Sequence, residues 1–496
     1  MGVPGLLPFV KSASQEVHLE RYRGLQLAVD MSCWLHRGAI CCARQLALGQ
    51  PTGDFLRFPM RMVALLRAHG VEPLIVFDGG PMPMKARLDA SRASEREQAT
   101  KDGEYAKAVK ITPAMVQRLI QWLRREKVAF IVAPFEADAQ IVHLVMRGYC
   151  AAAITEDSDM LAYRCPAVLY KLSPETGHAR LITWDGLRAA QDSKRKPLFD
   201  GEWEGEWGFW EDGGFAAMAI LAGCDYLPSF PGCGIATAHK LMRASRSVER
   251  AIEKLQAKAS KGRPPSAQQT EAYLLHFRRC QEVFDHARVW DPDAGEIVHL
   301  RPLPPHTRSN GEEYDYLGHP MDAALAREVC CDASRDPVTL LPVVEPPNQG
   351  VLYLPQFEDD DLQPAVAPAS GWEPTQEKLP ASPTLPRASD PLLPSLQPRE
   401  HHATSRHFAS VPSQKPVQPA APRDADKKAE VAQRPAAGPH HRPVPAASPP
   451  RKMRSPAVQA GAGREYASRP ASGVTLPLPP PSRVDNSFLQ AFRSKK

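Results

Sequence analysis

The stretch Cys150–Leu161, CAAAITEDSDML, decides how the rest of the chain is interpreted. Residues 151–154 are typical of a short buried strand, and three carboxylates in four positions follow, those of Glu156, Asp157 and Asp159. In extended chain Asp157 and Asp159 would point to the same side. Such carboxylates repel one another unless a cation lies between them, and their oxygens suit Mg²⁺ or Mn²⁺. A solvated turn explains the same residues equally well, because Asp and Ser are common in turns.

Carboxylates at other strand ends help to decide between these interpretations. Further strands are predicted at residues 24–29, 73–77, 129–133 and 168–172. Asp30 and Asp78 directly follow the first two, and Glu136 and Asp138 open the helix after the third. Alternating strands and helices predict an α/β fold with a mostly parallel central sheet and helices on both faces, where ligands bind at the carboxyl ends of strands. A single strand-end Asp is usually a helix cap, but four segments converging on one edge favour a metal site.

The segment between Pro81 and Pro113 is highly charged and predicts helix. Lys85 and Arg92 are seven positions apart, so on a helix they share a face. A solvated helix with ion pairs explains most of these charges. A basic helix beside a carboxylate-rich sheet edge also suits a phosphate held against metal ions.

A second motif, FPGCGIATAHKL at residues 230–241, follows Asp225. The turn from Gly232 to Gly234 precedes a helix carrying Lys240, which predicts backbone N–H groups free to bind a phosphate at the helix start. Gly-x-Gly alone is a weak signal, and the preceding Asp and the basic helix strengthen it.

Composition separates a folded part from a tail. Residues 361–496 contain 25 of the 51 prolines and 19 Lys and Arg against 10 Asp and Glu. Residues 1–360 carry 42 basic and 46 acidic residues, so the overall net charge of +5 belongs to the tail. The tail beyond about residue 360 is low in aromatic residues and rich in Pro, Ala and Ser, which predicts disorder.

The ten cysteines form no CxxC pair, so a zinc site is not predicted, and reduced thiols in an intracellular protein are expected. The N-terminus lacks the pattern of a secretory signal. No stretch approaches the roughly 20 apolar residues that span a bilayer, so no membrane partner is predicted.

Several longer motifs occur in order over roughly residues 1–300. They read MGVPGLLPFVK from Met1, AVDMSCWLHRGA from Ala28, VFDGG from Val76, APFEADAQ from Ala133, ITEDSDMLA from Ile154 and LAGCDYLPSFPGCGIATAHKL from Leu221. Together they resemble the flap endonuclease/exonuclease 1 family of structure-specific 5′ nucleases, and within it the exonuclease 1 branch. The resemblance implies a PIN-like nuclease core.

The resemblance also implies a site with two divalent ions, Mg²⁺ or alternatively Mn²⁺. Seven carboxylates would hold them, those of Asp30, Asp78, Glu136, Asp138, Asp157, Asp159 and Asp225. Lys85 and Arg92 would steer the scissile phosphate and, with Asp157 and Asp159, form the catalytic set. Gly2 would approach the site closely after removal of Met1.

For DNA binding, the resemblance implies a helix–two-turn–helix region at about residues 222–245. This region would grip duplex DNA through a monovalent ion, K⁺, bound by Ser229 and by the backbone near Cys233 and Ile235. His36 would belong to a wedge that bends DNA at a nick or gap. The full set of expected DNA contacts is Gly2, His36, Lys85, Arg92, Ser229, Gly232, Gly234 and Lys240.

The implied function is a 5′ to 3′ double-stranded DNA exonuclease with 5′-flap endonuclease activity, acting in mismatch repair and in recombination or end resection. The expected partners are nicked, gapped, 5′-flap or recessed-end DNA and, through the tail, mismatch-repair proteins. The expected protein is a nuclear monomer. A replicative-type flap endonuclease and a catalytically silent DNA-repair scaffold are the alternatives.

Five regions are expected along the chain. They are an N-terminal nuclease region at 1–99, an internal nuclease region completing the core at 100–215, the helix–two-turn–helix region at 216–300, a mixed segment packing back on the core at 301–355, and the disordered basic tail at 356–496.

Overall fold

A computed structural model describes residues 2–199, 213–229, 232–259, 266–304 and 314–343. The tail predicted to be disordered lies outside the described residues. So do Phe230 and Pro231, which begin the second motif.

The central sheet has seven strands. They are β1 (Gln15–His18), β2 (Gln26–Asp30), β3 (Glu72–Phe77), β4 (Ala129–Val132), β5 (Ala153–Ile154), β6 (Ala167–Tyr170) and β7 (His178–Thr183). Their order across the sheet is β1-β7-β6-β5-β2-β3-β4. Strands β2 to β6 pair in parallel, whereas β7 pairs antiparallel with β6 and with β1. The predicted mostly parallel sheet is confirmed, and the antiparallel border formed by β1 and β7 was not predicted.

Helices connect the strands and extend beyond them. They are α1 (Leu6–Phe9), α2 (Met31–Cys41), α3 (Ala43–Ala47), α4 (Arg57–Ala68), α5 (Ala86–Lys101), α6 (Tyr105–Ala108), α7 (Pro113–Arg125), α8 (Ala137–Met146), α9 (Asp159–Ala162), α10 (Gly214–Ala222), α11 (Ile235–Ser245), α12 (Val248–Ala259), α13 (Ala267–His286) and α14 (Ala323–Cys330). A separate hairpin pairs β8 (Arg288–Asp291) with β9 (Glu296–His299).

The order in which strands are added to the sheet reverses between β2 and β5. The chain first moves outward from β2 through β3 to β4, and then returns to lay β5 on the other side of β2. Since crossovers between parallel strands are right-handed, the helices before β4 and the helix after it lie on opposite faces. Val29 of β2 is paired with Ile75 on one side and Ile154 on the other. The buried apolar strands thus form the floor of the fold.

Helix α8 is apolar around most of its circumference because it packs between the sheet and the β8–β9 hairpin. Its buried Gln140 side chain is matched by the hairpin. The Gln140 amide nitrogen donates to the Trp290 carbonyl at 2.8 Å, and its oxygen accepts from the Trp290 N–H at 2.7 Å. This reciprocal pair fixes the helix whose first turn carries predicted metal ligands.

None of the helices in the described residues combines the length and the apolar character that crossing a bilayer requires. All ten cysteines lie in the described part of the chain and are free thiols.

Candidate active site

The carboxyl ends of β2 and β5 lie side by side where the sheet reverses direction. Strand β2 ends at Asp30, and Asp157 comes three residues after the last residue of β5. Asp78 directly follows β3, which is the other neighbour of β2. Crevices at such a reversal are where open α/β sheets bind ligands. The topology therefore brings three predicted carboxylates to one edge.

Asp30 is buried and held by hydrogen bonds from three groups. Its Oδ1 accepts the N–H of Ser32 at 3.0 Å and so caps helix α2. Its Oδ2 accepts from the Thr155 hydroxyl at 2.7 Å and from the Cys33 thiol at 2.9 Å. The cap interpretation and the metal-site interpretation of this residue are compatible, because Oδ1 accepts a single hydrogen bond and keeps a second lone pair.

Asp78 ties the end of β3 to the start of α8. Its Oδ1 accepts the N–H of Ala137 at 3.0 Å, and its Oδ2 accepts from the Ser32 hydroxyl at 2.5 Å. Glu136 occupies the N-cap position of α8, and Asp138 lies in the first turn. The structure thus places both acids at the same end of the sheet as Asp78.

Asp157 and Asp159 do not lie in extended chain, so that part of the prediction is wrong. Ser158 has helical backbone angles, and α9 begins at Asp159. The N–H of Asp159 donates to Oδ1 of Asp157 at 2.9 Å, and the N–H of Asp157 donates to the Thr155 hydroxyl at 3.0 Å. The backbone forms a turn, but this turn is buried, since Asp157 is 6% exposed and Asp159 2% exposed.

Asp225 is linked to the site by ion pairs with Lys85 and Arg92. The Lys85 ammonium lies 2.5 Å from Oε2 of Glu136 and 3.2 Å from Oδ2 of Asp225. A terminal nitrogen of Arg92 lies 3.1 Å from Oδ1 of Asp225. The side chains of Lys85, Glu136 and Asp225 are only 12–14% exposed, so solvent screens these pairs weakly. Lys85 and Arg92, one before α5 and one within it, therefore do share a face.

Crowding makes these carboxylates hard to ionise. Burial raises the pKa of Asp30 to about 6, and the charge of Asp78 adds to the effect. Burial raises the pKa of Glu136 to about 7, although the neighbouring Lys85 ammonium lowers it. Ionisation of each of these acids therefore destabilises the folded state.

Asp138 and Asp159 show the same effect more strongly. Burial, followed by the charge of Asp157, holds the pKa of both carboxyl groups well above its usual range. Oδ1 of Asp159 is also buried without a hydrogen-bond partner among the described residues. Buried, mutually repelling oxygen ligands with an unused lone pair fit a divalent cation that prefers carboxylate ligands.

The seven carboxylates are not drawn together as tightly as a filled metal site. Among the described residues, no three of the seven carboxylates bring ligand atoms within 4.8 Å of one another. In the described part of the chain, only His18, Glu20 and His69, at another place, do so. Holding ions at the edge therefore requires the carboxylate side chains to move closer together.

The raised carboxyl pKa values predict how Mg²⁺ stabilises the protein. A carboxyl group whose pKa is higher in the folded than in the unfolded state stabilises the fold at low pH, and this contribution is lost as pH rises through the folded pKa. For Asp30 and Glu136 the loss falls between an unfolded pKa of about 4 and folded values of about 6 and about 7. A Mg²⁺ ion held by these carboxylates would bind their ionised forms, so the rise in Tm that it would cause should be larger at pH 8 than at pH 5.

This prediction is checked by thermal unfolding with and without Mg²⁺ across that range. NaCl at matched ionic strength serves as the control. Titrating histidines contribute equally to both curves and cancel in the difference. A rise in Tm that is the same at every pH would contradict it.

Gly2 lies against the turn that carries Asp157 and Asp159. A Cβ atom at Gly2 would lie 2.2 Å from Oδ1 of Asp157, 2.7 Å from Oγ of Ser158 and 2.8 Å from the backbone nitrogen of Asp159. Its backbone φ of +77° is also one that residues with a side chain rarely adopt. The structure therefore places Gly2 beside the carboxylates, as the resemblance implied.

The other predicted DNA contacts lie outside the carboxylate cluster. His36 is exposed on α2. Ser229, Gly232 and Gly234 belong to the connection between α10 and α11, and Lys240 is exposed on α11. Gly234 is the N-cap of α11.

Three supporting residues were missed from the sequence. Thr155 bonds both Asp30 and Asp157, and its position directly after a strand was the available signal. The hydroxyl groups of Tyr163 and Tyr226 lie 2.6 Å apart in the core, and the Lys85 ammonium lies 5.4 Å from the centre of the Tyr226 ring. Tyr226 thus supports Lys85 through a cation–π contact, which a sequence cannot distinguish from ordinary core packing.

Known families match two parts of the chain. Residues 1–99 match the XPG N-terminal domain, and residues 127–225 match the XPG I-region. The gap between the matches contains most of the segment from α5 to α7.

Curated relatives match over a longer range. Exonuclease 1 of Arabidopsis thaliana is 36% identical over 376 residues, covering 73% of this chain and 47% of that protein. Exonuclease 1 of Xenopus laevis is 35% identical over 343 residues, covering 66% and 44%. Exodeoxyribonuclease 1 of Schizosaccharomyces pombe is 31% identical, covering 68% and 58%. The chain spans about half the length of these relatives.

Among solved structures, the catalytic core of Rad2 in complex with a DNA substrate superimposes with a TM-score of 0.42. It is 18% identical and covers 57% of this chain and 86% of that one.

Proposed function

The chain belongs to the flap endonuclease/exonuclease 1 family, and from this premise we propose that it is a metal-dependent nuclease that degrades one strand of duplex DNA from its 5′ end. The observation that carries the proposal is the gathering of carboxylates from separate chain segments beside Lys85 and Arg92 at one sheet edge. Burying repelling acids costs folding free energy, and a protein that only bound DNA would gain nothing from it.

Within this proposal the seven carboxylates hold two Mg²⁺ ions, with Mn²⁺ as an alternative. Bound ions supply an activated water and neutralise charge on the phosphate. The protein contributes buried strands that exclude water below the site. Hydrogen bonds from Ser32 and Thr155 fix the proposed ligand Asp30. Such fixed partners orient metal ligands before the substrate arrives.

Lys85 serves to hold the phosphate rather than to take a proton. Burial by itself would lower the pKa of Lys85, but Glu136, Asp225 and Asp138 raise it well above its usual value. The ammonium group therefore stays charged at neutral pH. Together with Arg92 it would donate to the phosphate oxygens on which negative charge develops in the transition state. No side-chain general base is needed in this scheme.

Duplex DNA would be gripped away from the carboxylates. The connection between α10 and α11, with Ser229, Gly232 and Gly234, offers polar backbone beside the exposed Lys240. A K⁺ ion held by Ser229 and the nearby backbone would bridge this connection to a DNA phosphate. His36 would pack against DNA at a nick or gap as part of the wedge.

The predicted division of the chain is also proposed. Residues 1–99 and 100–215 would form the nuclease regions, and 216–300 the helix–two-turn–helix region. Residues 301–355 would pack back on the core, and 356–496, which lie outside the described residues, would form the basic tail. The match of residues 1–99 to the XPG N-terminal domain supports the first boundary.

The proposed biological setting is the nucleus, where the protein would act as a monomer in mismatch repair and in recombination or end resection. Its substrates would be nicked, gapped, 5′-flap or recessed-end DNA, and mismatch-repair proteins would bind its tail. The similarity to exonuclease 1 proteins and to the DNA damage-inducible protein DIN7 of Saccharomyces cerevisiae supports this setting.

The proposal is tested with duplexes labelled at either the 5′ or the 3′ end and incubated with Mg²⁺. With a recessed or nicked 5′ end, a 5′ label should leave at once in short products, whereas a 3′ label should remain on a strand that shortens gradually. Products should carry a 5′-phosphate. Shortening from the 3′ end would overturn the proposal.

The same panel separates the alternatives. Cleavage of a 5′ flap that is much faster than cleavage at a nick would indicate a replicative-type flap endonuclease. DNA binding without Mg²⁺-dependent cleavage of any member would indicate a silent scaffold.

A further inference from the structure

Three potential metal ligands meet outside the set of seven carboxylates. His18 ends β1, Glu20 lies in the 3₁₀ turn Leu19–Tyr22, and His69 follows α4. One ligand atom from each lies within 4.8 Å of the others. These three residues are called the histidine cluster below. They share no residue with the seven acidic ligands proposed above.

The hydrogen bonds of His18 set up its ring for metal binding. Its Nε2 lies 3.0 Å from the carbonyl oxygen of Thr176. A carbonyl can only accept, so Nε2 carries the proton and Nδ1 is the unprotonated nitrogen, whose lone pair accepts from the Glu20 N–H. Metal-binding histidines commonly donate their second ring N–H to a backbone carbonyl in this way.

The Nδ1 atom of His18 faces the third ligand. It lies 3.5 Å from Oε2 of Glu20 and accepts a long hydrogen bond of 3.3 Å from the Glu20 N–H. A metal ion at Nδ1 would compete with this one weak bond. The carboxylate is 64% exposed, so it can rotate toward an ion without disturbing the core.

His69 completes the cluster. Its ring stands nearly perpendicular to that of His18, with ring centres 5.0 Å apart. A Cβ atom at Gly177 would lie 3.0 Å from Nε2 of both rings, so the two rings approach each other there through the edge of His18 that faces the Thr176 carbonyl.

We propose that the histidine cluster binds a transition-metal ion of the zinc type, with two imidazole nitrogens and one carboxylate oxygen as ligands and water in the fourth position. This donor set suits Zn²⁺, whereas Mg²⁺ prefers oxygen ligands in octahedral geometry. The bound ion would tie the end of β1 to the α4–β3 connection and, through Thr176, to the β6–β7 turn. The cysteine pattern gave no hint of this site because its ligands are histidine and glutamate.

The test is a Zn²⁺ titration of the full chain in excess Mg²⁺, which keeps the acidic site occupied. Bound zinc is measured by equilibrium dialysis. Relative to the wild type, His69→Gln should lose one equivalent of bound Zn²⁺ or bind it at least roughly tenfold more weakly. His319→Gln, whose side chain is 80% exposed, is the matched control and should bind like the wild type. Other histidines, including His401 and His402, are present in every protein and cancel in the difference.

Two further measurements keep the outcome decisive. Glu20→Gln should also weaken Zn²⁺ binding, and its exposed position protects the fold if His69→Gln proves unstable. Co²⁺ in place of Zn²⁺ should give the visible absorption of a four-coordinate ion in the wild type and lose it in Glu20→Gln. Equal zinc stoichiometry and affinity in the wild type and both variants, or displacement of the bound Zn²⁺ by Mg²⁺, would overturn the proposal.

Discussion

The Asp159→Asn variant should lose Mg²⁺-dependent cleavage by a factor of about 10² to 10³ or more, while its affinity for duplex DNA persists. Groups that stabilise transition-state charge carry effects of this size, and Asp159 would hold an ion that does so. Asp157→Asn should behave alike, because the amide oxygen still accepts the Asp159 N–H that shapes the turn. Single-turnover cleavage at saturating Mg²⁺, with DNA binding measured in parallel, checks both variants.

Stability separates a functional role of Asp159 from a structural one. Its carboxyl group is buried, and its pKa is raised by burial and by Asp157. Removal of this charge should raise the Tm of the metal-free protein at pH 8 even as cleavage is lost. Glu296→Gln, at an exposed position of β9, should change neither property. Full cleavage by both Asp variants would exclude the proposed metal site.

The Gly2→Ala variant is the second case in which a large effect is expected. The added methyl group would overlap Oδ1 of Asp157 at 2.2 Å and press on the backbone nitrogen of Asp159 at 2.8 Å. The carboxylate or the N-terminal segment must then move. Because displacement of a catalytic group by about 1 Å can cost roughly 10²-fold in rate, kcat should fall by about that factor. Steady-state cleavage of a nicked duplex gives the measurement.

Gly24→Ala is the matched control for the backbone strain in Gly2→Ala. Gly24 has nearly the same φ, +76°, but no atom within 4 Å of the position its Cβ would take. Both variants carry a backbone strain of about 1–2 kcal/mol, and only Gly2→Ala disturbs the carboxylates. A similar loss of kcat in both would show that strain, and not the contact with Asp157, is responsible.

The positions of the acids could be predicted from the sequence because the ends of buried strands can be recognised in it. Short apolar runs ending in Asp30 and Asp78 predict buried parallel strands, and parallel strands present their carboxyl ends at one edge. The structure confirms these strands within a few residues of the predicted bounds. The strand preceding Asp157 is only two residues long, however, because the chain turns earlier than its apolar run suggests.

Other features depend on contacts that no local pattern encodes. The turn at Asp157 forms because Thr155 supplies a hydroxyl group to its backbone, and a Thr after a strand is common without such a role. Strand β1, QEVH, is polar at its start and short, so it has little apolar signal of its own. Its pairing with β7 depends on a strand more than 150 residues away, and for the same reason the convergence of His18 and His69 could not be predicted.

The arrival of Asp225 from beyond α10 has a consequence for the newly made chain. The acids from Asp30 to Asp159 are all synthesised before the final ligand, and Lys85 has only Glu136 as its described partner until Asp225 docks. A ribosome-bound chain that has emerged only to about residue 200 would therefore carry a complete central sheet but would lack Asp225, the last of the proposed metal ligands. Under the proposed function, cleavage would therefore begin only after the chain beyond α10 has been synthesised and has begun to fold.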